Sequence, residues 1–318
     1  MRLVWESTRR AQPRRLPSSS RHHGVSRTMS KGFKSNLQNR AVARALALWR
    51  KESGLSLTEV TKRVHWSPAK TSMLQNGLVP ITDADVMALA LVYEIDDVRR
   101  EPVFWGAQRT RDPRMFDLVT GGTASCVQWT YSEVEAEANY VRTVALDALP
   151  PLVWTPEYSA AIRGVQVEAV SEQGHRFYPD KHREQVVEQL SDGPSLRMDL
   201  VLGEAALRRP VGGALVIADQ LFQLASFAQL AGVRVFLVPD RVGELAPMAS
   251  FSVLSFREAQ FDDVVHLDCP HGGTWLENQA ERRPYVDTFE RLMLAALPAA
   301  VTTGAIVKAA QHFKDVAR

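Results

Sequence analysis

Between residues 36 and 100, apolar positions recur at helical spacing in short bursts, and three of the bursts open on a polar capping residue. Val42, Leu46 and Trp49 follow i, i+4, i+7, and Gly54 stands where a helix end favours a left-handed residue. Ser56 with Glu59 three positions on forms a capping box, and Val60 and Val64 then share one face. Ser67 caps the next helix, Pro68 takes its first position, and Thr71 and Leu74 point inward. Thr82 with Asp85 opens another, whose apolar face is Val86, Leu89, Ala90 and Tyr93. Residues 54–77, GLSLTEVTKRVHWSPAKTSMLQNG, thus read as two short helices joined by a tight turn, inside a small bundle.

The second helix of that pair keeps Ala69, Lys70, Ser72, Met73 and Asn76 on its free side. Short, hydrogen-bonding or cationic side chains on a rigid helix suit the DNA major groove, so this is a helix-turn-helix pattern. Ser67, Ala69, Lys70, Ser72, Met73 and Asn76 are the candidates for base edges. Lys70 is suited to guanine, Ser72 to either base type, and Ala69 and Met73 to thymine methyls. Thr58, Lys62 and Arg63 are the candidates for phosphate contacts, which position a domain without reading sequence.

Over residues 38–100 the spacing resembles the Xre/Cro class of phage-repressor-like DNA-binding domains. That class usually carries alanine where Thr61 stands, glycine at His65, valine or isoleucine at Thr71, and a phosphate-touching glutamine at Leu57. The resemblance implies duplex operator DNA as partner. A domain this small buries little surface on DNA, which argues for a homodimer on half-sites about 34 Å apart. The alternative is a bundle retained only as a protein-interaction module.

Past residue 100 the periodicity lapses, and Pro113, Gly121 and Gly122 mark residues 101–128 as a linker. From 129 to 318 helical patterns fall at about 131–147, 156–164, 180–192, 213–231, 279–296 and 300–316. Strand patterns fall at 197–202, 233–238, 251–256 and 264–269. The fold class expected is an all-α helix-turn-helix bundle followed by a larger α+β domain with a mostly antiparallel sheet. The stretches YSEVEAEANYVRTVALDALPPLVWTPEYSAAIRG, GEAALRRPVGG and VVHLDCPHGGTWLENQAERRPYVDTFERLMLAAL resemble the C-terminal domain of a large actinomycete regulator family. Its members join an Xre-type helix-turn-helix to this domain and are described as antitoxin-like transcriptional regulators. The resemblance implies a cytoplasmic regulator, working with a small partner protein from a neighbouring gene, and no known reaction or ligand.

Charge sharpens the picture. The net +2 of the 318 residues hides a gradient: residues 1–35 hold nine Lys/Arg against Glu6. Residues 36–75 hold seven against Glu52 and Glu59, and the remainder is net acidic. Basic charge gathered on the tail and first helices is what a phosphate-binding surface needs. The Arg-, Ser- and Pro-rich tail over 1–35 reads as disordered. It is either a basic arm that runs along DNA, or sequence ahead of a true start at Met29; both readings stay open. Its twin arginines precede no apolar stretch, so export is not expected, and no run approaches the ~20 apolar residues of a membrane span.

Signals for chemistry are sparse. Cys126 and Cys269 suit a reducing compartment rather than a disulfide scaffold. His266, Cys269 and His271 lie close, but strand alternation puts His266 and Asp268 on one face and Cys269 on the other. That reads as an exposed histidine and a buried cysteine, with no metal and no cofactor expected. Glu204 and Arg208 stabilise a short helix. Trp154, Tyr158, Phe222, Phe227, Trp275 and Tyr285 read as core, and no nucleophile elbow or phosphate loop occurs, so no enzyme is expected.

Overall fold

The computed structural model describes residues 33–111, 126–127, 129–165, 180–192, 195–242, 250–268 and 273–318. Residues 33–318 fall in one compact unit. The expected basic tail lies outside the described residues up to 32, as do Cys269, His271 and most of the expected linker.

The bundle comprises α1 (Leu37–Glu52), α2 (Leu57–Val64), α3 (Pro68–Gln75), α4 (Asp83–Val92) and α5 (Asp97–Arg111). Its caps form as the sequence requires. Both capping boxes close, Ser56 with Glu59 and Thr82 with Asp85, and the Ser67 hydroxyl accepts the Lys70 amide. Val42, Leu46, Trp49, Val60, Leu74, Val86, Leu89, Ala90 and Tyr93 are buried together as one core. At about 1.5–3 kcal/mol for each fully buried large apolar side chain, this core outweighs the weak propensity of eight-residue helices.

α5 corrects the expected linker, since residues 101–111 are helical. Val103 and Ala107, one turn apart, complete the bundle core, and tertiary burial overrides the breaking tendency of Pro102. Pro102 is the sixth residue of α5, past the first turn where a missing N–H costs nothing, so the helix forgoes one backbone bond there.

The second part contains α6 (Tyr131–Glu137), β1 (Tyr140–Ala145), α7 (Pro156–Val165), α8 (Asp180–Ser191), β2 (Arg197–Gly203) and α9 (Glu204–Arg208). It continues with α10 (Ala214–Phe227), β3 (Val233–Val238), β4 (Phe251–Ser255), β5 (Val264–Leu267), β6 (Thr274–Leu276), α11 (Gln279–Ala295) and α12 (Ala299–Val316). The six-stranded sheet runs in the order β3-β2-β1-β4-β5-β6. The ladders β1–β4, β4–β5 and β5–β6 are antiparallel, while β1–β2 and β2–β3 are parallel. This is the expected α+β domain with a mostly antiparallel sheet.

One expectation needed correction here, and one strand was not expected. The helical pattern over 131–147 is a helix only to Glu137; Ala138 turns extended and Tyr140–Ala145 becomes a central strand. Its run Val141, Thr143 and Val144 is β-branched and is buried on both faces, a fit that only neighbouring strands reveal. The three-residue edge strand β6 carried no sequence signal.

Helices cover both faces of the sheet. Val141, Leu200, Leu202, Val235 and Leu254 pack with Ile217, Leu221 and Leu224 of α10 and Ile306 of α12. Val144, Val201, Val238, Phe251, Val253 and Val265 pack on the opposite face with Phe289 and Leu292 of α11. The six aromatics expected in the core are there: Tyr158 and Phe227 are buried, and Trp154, Phe222, Trp275 and Tyr285 pack against the two clusters.

Candidate nucleic-acid interface

The turn between α2 and α3 is set by His65, which sits in the left-handed region at φ 55°. A histidine adopts that conformation at modest cost, so the glycine of related sequences is not needed. The other atypical residues are also absorbed: Thr61 donates its hydroxyl to the Thr58 carbonyl, and Thr71 is fully buried with Leu74 beneath α3. Inward Thr71 and Leu74 fix which side of α3 faces out. Ala69, Met73 and Asn76 form a line at i, i+4, i+7 and are exposed, Met73 at 39%. Ser72 lies beside that line, half-buried, and the Asn76 amide donates to the Ser72 carbonyl at 2.9 Å.

Every side-chain bond described for α3 stays within the bundle. Gln75 accepts from Arg50 Nε at 2.9 Å and donates to the Tyr93 hydroxyl at 2.8 Å. Ser67 is exposed but its oxygen serves as a cap. Thr58, Lys62 and Arg63 are exposed on α2, beside the turn.

Lys70 differs from the other outward candidates. Its Nζ is 2.9 Å from Asp85 Oδ1 and 3.8 Å from the ring centre of Trp66. Asp85 is held in turn, for its Oδ2 accepts from the Thr82 amide at 3.0 Å and hydroxyl at 2.7 Å. Burial pushes the Asp85 carboxyl up, but the Thr82 bonds and the Lys70 ammonium outweigh it, and the net shift is downward. Sequence periodicity missed this pair, fifteen positions apart; its trace was an acidic residue at the third position of a capping box.

Not all the basic charge of the first helices faces outward. Arg40 is buried, ion-paired with Glu137, with its guanidinium 4.0 Å and 4.1 Å from the ring centres of Phe256 and Phe261. Arg44 Nη1 is 2.7 Å from Glu133 Oε1. The Leu37 amide donates to Glu277 Oε2 at 2.5 Å, Trp129 Nε1 donates to the Leu37 carbonyl at 2.6 Å, and the Ser35 amide donates to the Gln260 carbonyl at 2.9 Å. The expectation that this charge forms one phosphate-binding surface is therefore corrected: Arg40 and Arg44 join the start of α1 to the sheet domain.

Residues 41–103 match a family model described as a helix-turn-helix domain. Residues 128–308, more than half of the chain, match the model described as a domain of unknown function, DUF5753. The chain belongs to the DUF5753 family. No curated protein and no solved structure matches it. The N-terminal bundle is thus a helix-turn-helix domain, the kind that binds DNA, joined to the six-stranded DUF5753 domain. No helix among the described residues is long and apolar enough to cross a membrane.

The DUF5753 domain carries a buried polar row. His266 is buried rather than exposed, correcting the sequence expectation; it packs on the rings of Tyr131 and Trp275, with Nδ1 3.3 Å from Asp268. Antiparallel pairing sets it opposite Ser252, whose hydroxyl is 2.8 Å from that of Thr143. Ser252 exposes no surface, so this serine–histidine–aspartate arrangement braces the sheet rather than presenting a nucleophile. Glu135 and His182, both buried, meet at 3.0 Å beside a cavity of about 10 Å³ lined by Tyr131, Glu135, Thr143 and Met198. That volume holds about one water molecule. Among the described residues no group of three or more His, Cys, Asp or Glu could hold a metal ion. Glu204 and Arg208 pair at 3.1 Å within α9, as the short helix requires.

Proposed function

We propose that this DUF5753 protein is a sequence-specific transcriptional regulator of the Xre type, acting in the cytoplasm, whose α3 enters the major groove of operator DNA. The observation that carries the reading is the exposed line Ala69, Met73, Asn76, held outward by the burial of Thr71 and Leu74. Short polar and apolar side chains on such a line suit direct readout of base edges. Ser67, Lys70 and Ser72 flank the line as further base-edge candidates, and Thr58, Lys62 and Arg63 supply phosphate contacts. The protein works as a homodimer on half-sites one helical turn apart, with the DUF5753 domain supplying dimerisation, partner binding or effector sensing.

The test is fluorescence anisotropy on the DNA upstream of its own gene at several salt concentrations. Met73→Ala with Asn76→Ala flattens the preference for that DNA over random duplex and leaves the salt slope unchanged. Lys62→Ala with Arg63→Ala keeps the preference and lowers the slope by about 2, near 0.9 for each phosphate left unneutralised. A Met73/Asn76 variant with the wild-type preference contradicts the assignment of α3.

A further inference from the structure

We propose that Asp85 is a specificity-determining residue: its fixed carboxylate holds the Lys70 ammonium back from phosphates and shares it only with a guanine edge. The inference rests on the reading of α3 as the groove-entering helix and deepens it. Three restraints act on Lys70. Its amide is bonded to the Ser67 hydroxyl at 3.1 Å, its Nζ is 2.9 Å from Asp85 Oδ1, and that same Nζ lies over the Trp66 ring. The partners are unequal in freedom. Asp85, its side chain only 11% exposed, is tied by its second oxygen to the first turn of α4, whereas the Lys70 side chain is 44% exposed. The lysine is the member that moves.

The consequence for DNA follows from charge. A lysine on a groove-facing helix with no counterion would pair with any phosphate in reach, adding affinity without discrimination. Here a lysine that swings to a phosphate leaves a bare carboxylate close to that anion, and like charges at short range oppose the move. The guanine edge offers two neutral acceptors, O6 and N7. Lys70 has more than one N–H to donate, so it can bridge Asp85 and guanine without stranding either. The carboxylate thus penalises the indiscriminate contact more than the specific one, which is how a repulsive group creates specificity.

The experiment measures binding of the full chain to its upstream DNA and to random duplex across a salt series, for wild type, Asp85→Asn, Lys70→Gln and the double variant. Asparagine keeps an oxygen for the Thr82 amide, and thermal melting checks that the bundle stays folded. For Asp85→Asn the proposal expects tighter binding to random duplex, a salt slope steeper by about 0.9, and a smaller specific-to-random ratio. Lys70→Gln weakens binding to the upstream DNA and leaves random duplex unchanged. The double variant matches Lys70→Gln on random duplex. Unchanged random-duplex affinity and slope in Asp85→Asn overturn the proposal while the reading of α3 stands. So does a gain that persists in the double variant, because it then comes from overall charge. A wild-type chain that binds no duplex overturns the reading of α3, and the role of Asp85 with it.

Discussion

Replacing Arg40 by alanine removes the most buried of the cationic side chains that join the helix-turn-helix bundle to the DUF5753 domain. The guanidinium sits in the corner formed by Phe256 and Phe261, whose rings stand at 89° to each other, near 4 Å from both ring centres, and Arg40 as a whole is only 4% exposed. A largely desolvated cation over aromatic faces contributes about 2 kcal/mol. The pair with Glu137 adds about 0.5–1 kcal/mol, because the glutamate side chain is 41% exposed and screened by water. Once Arg40 is gone Glu137 can hydrate, so the variant suffers little of the penalty of a stranded buried charge. Against these favourable terms, Arg40 Nε is buried without a hydrogen-bond partner, which already costs the wild type something. The expected destabilisation is about 2–3 kcal/mol. Urea unfolding followed by tryptophan fluorescence measures it, and hydrogen exchange localises it. The Ser35 and Leu37 amides, which donate across the joint, should exchange faster, while the Val60 amide inside the bundle should not. Arg40→Lys keeps the charge without the flat stacking group and should be destabilised about half as much. A stability within about 0.5 kcal/mol of wild type for Arg40→Ala, the range of an ordinary surface change, refutes the reasoning.

Two further outcomes follow from single sites. Burial pushes the Glu277 carboxyl up, with the Leu37 amide and nearby Arg40 and Arg282 opposing it only in part. A folded-state value above the ordinary 4.5 means the folded chain binds the proton more tightly, so this group lowers stability as pH rises through 4.5 towards the folded value. Glu277→Gln, which keeps the acceptor for Leu37, should therefore be more stable than wild type at pH 7, with the gain fading below about pH 4.5; equal pH profiles in urea titrations contradict this. At Gly203, where β2 passes into α9, a Cβ would lie 2.3 Å from the Leu146 carbonyl oxygen and 2.9 Å from the Leu146 Cα. Both obstacles are backbone, so Gly203→Ala should cost about 1–3 kcal/mol or more on thermal unfolding, and an unshifted midpoint would show that the strands can part cheaply.

The bundle was legible in the sequence because its first four helices each carry one apolar stripe and three of them their own start signal. Ser56, Ser67 and Thr82 cap locally, and local rules suffice to place them. The sheet domain was legible where strands are short apolar runs between turns, and illegible at Tyr140–Ala145, where the decisive partners are β2 and β4, far along the chain. α5 was missed because Val103 and Ala107 gain their burial only from the rest of the bundle. In the candidate interface, the inward Thr71 and Leu74 leave Ala69, Met73 and Asn76 exposed, whereas Lys70 and Ser72, read as outward with them, are half-buried. The pairing of Lys70 with Asp85 and the withdrawal of Arg40 and Arg44 into the joint were beyond reach, because a charge pattern records how many cations a helix carries and not which way each is turned. His266 shows the same limit: alternation placed it on a face, and only Tyr131 and Trp275 closing over it made that face the interior.

The central claim is that α3 reads base sequence, and selection from a pool of random duplexes tests it most directly. Wild-type protein taken through several rounds should enrich a defined motif, arranged as two half-sites about 34 Å apart when the homodimer binds. The Met73→Ala, Asn76→Ala variant should enrich a degenerate or altered one. A bound pool as random as the starting pool, from folded wild-type protein at moderate salt, would contradict the account.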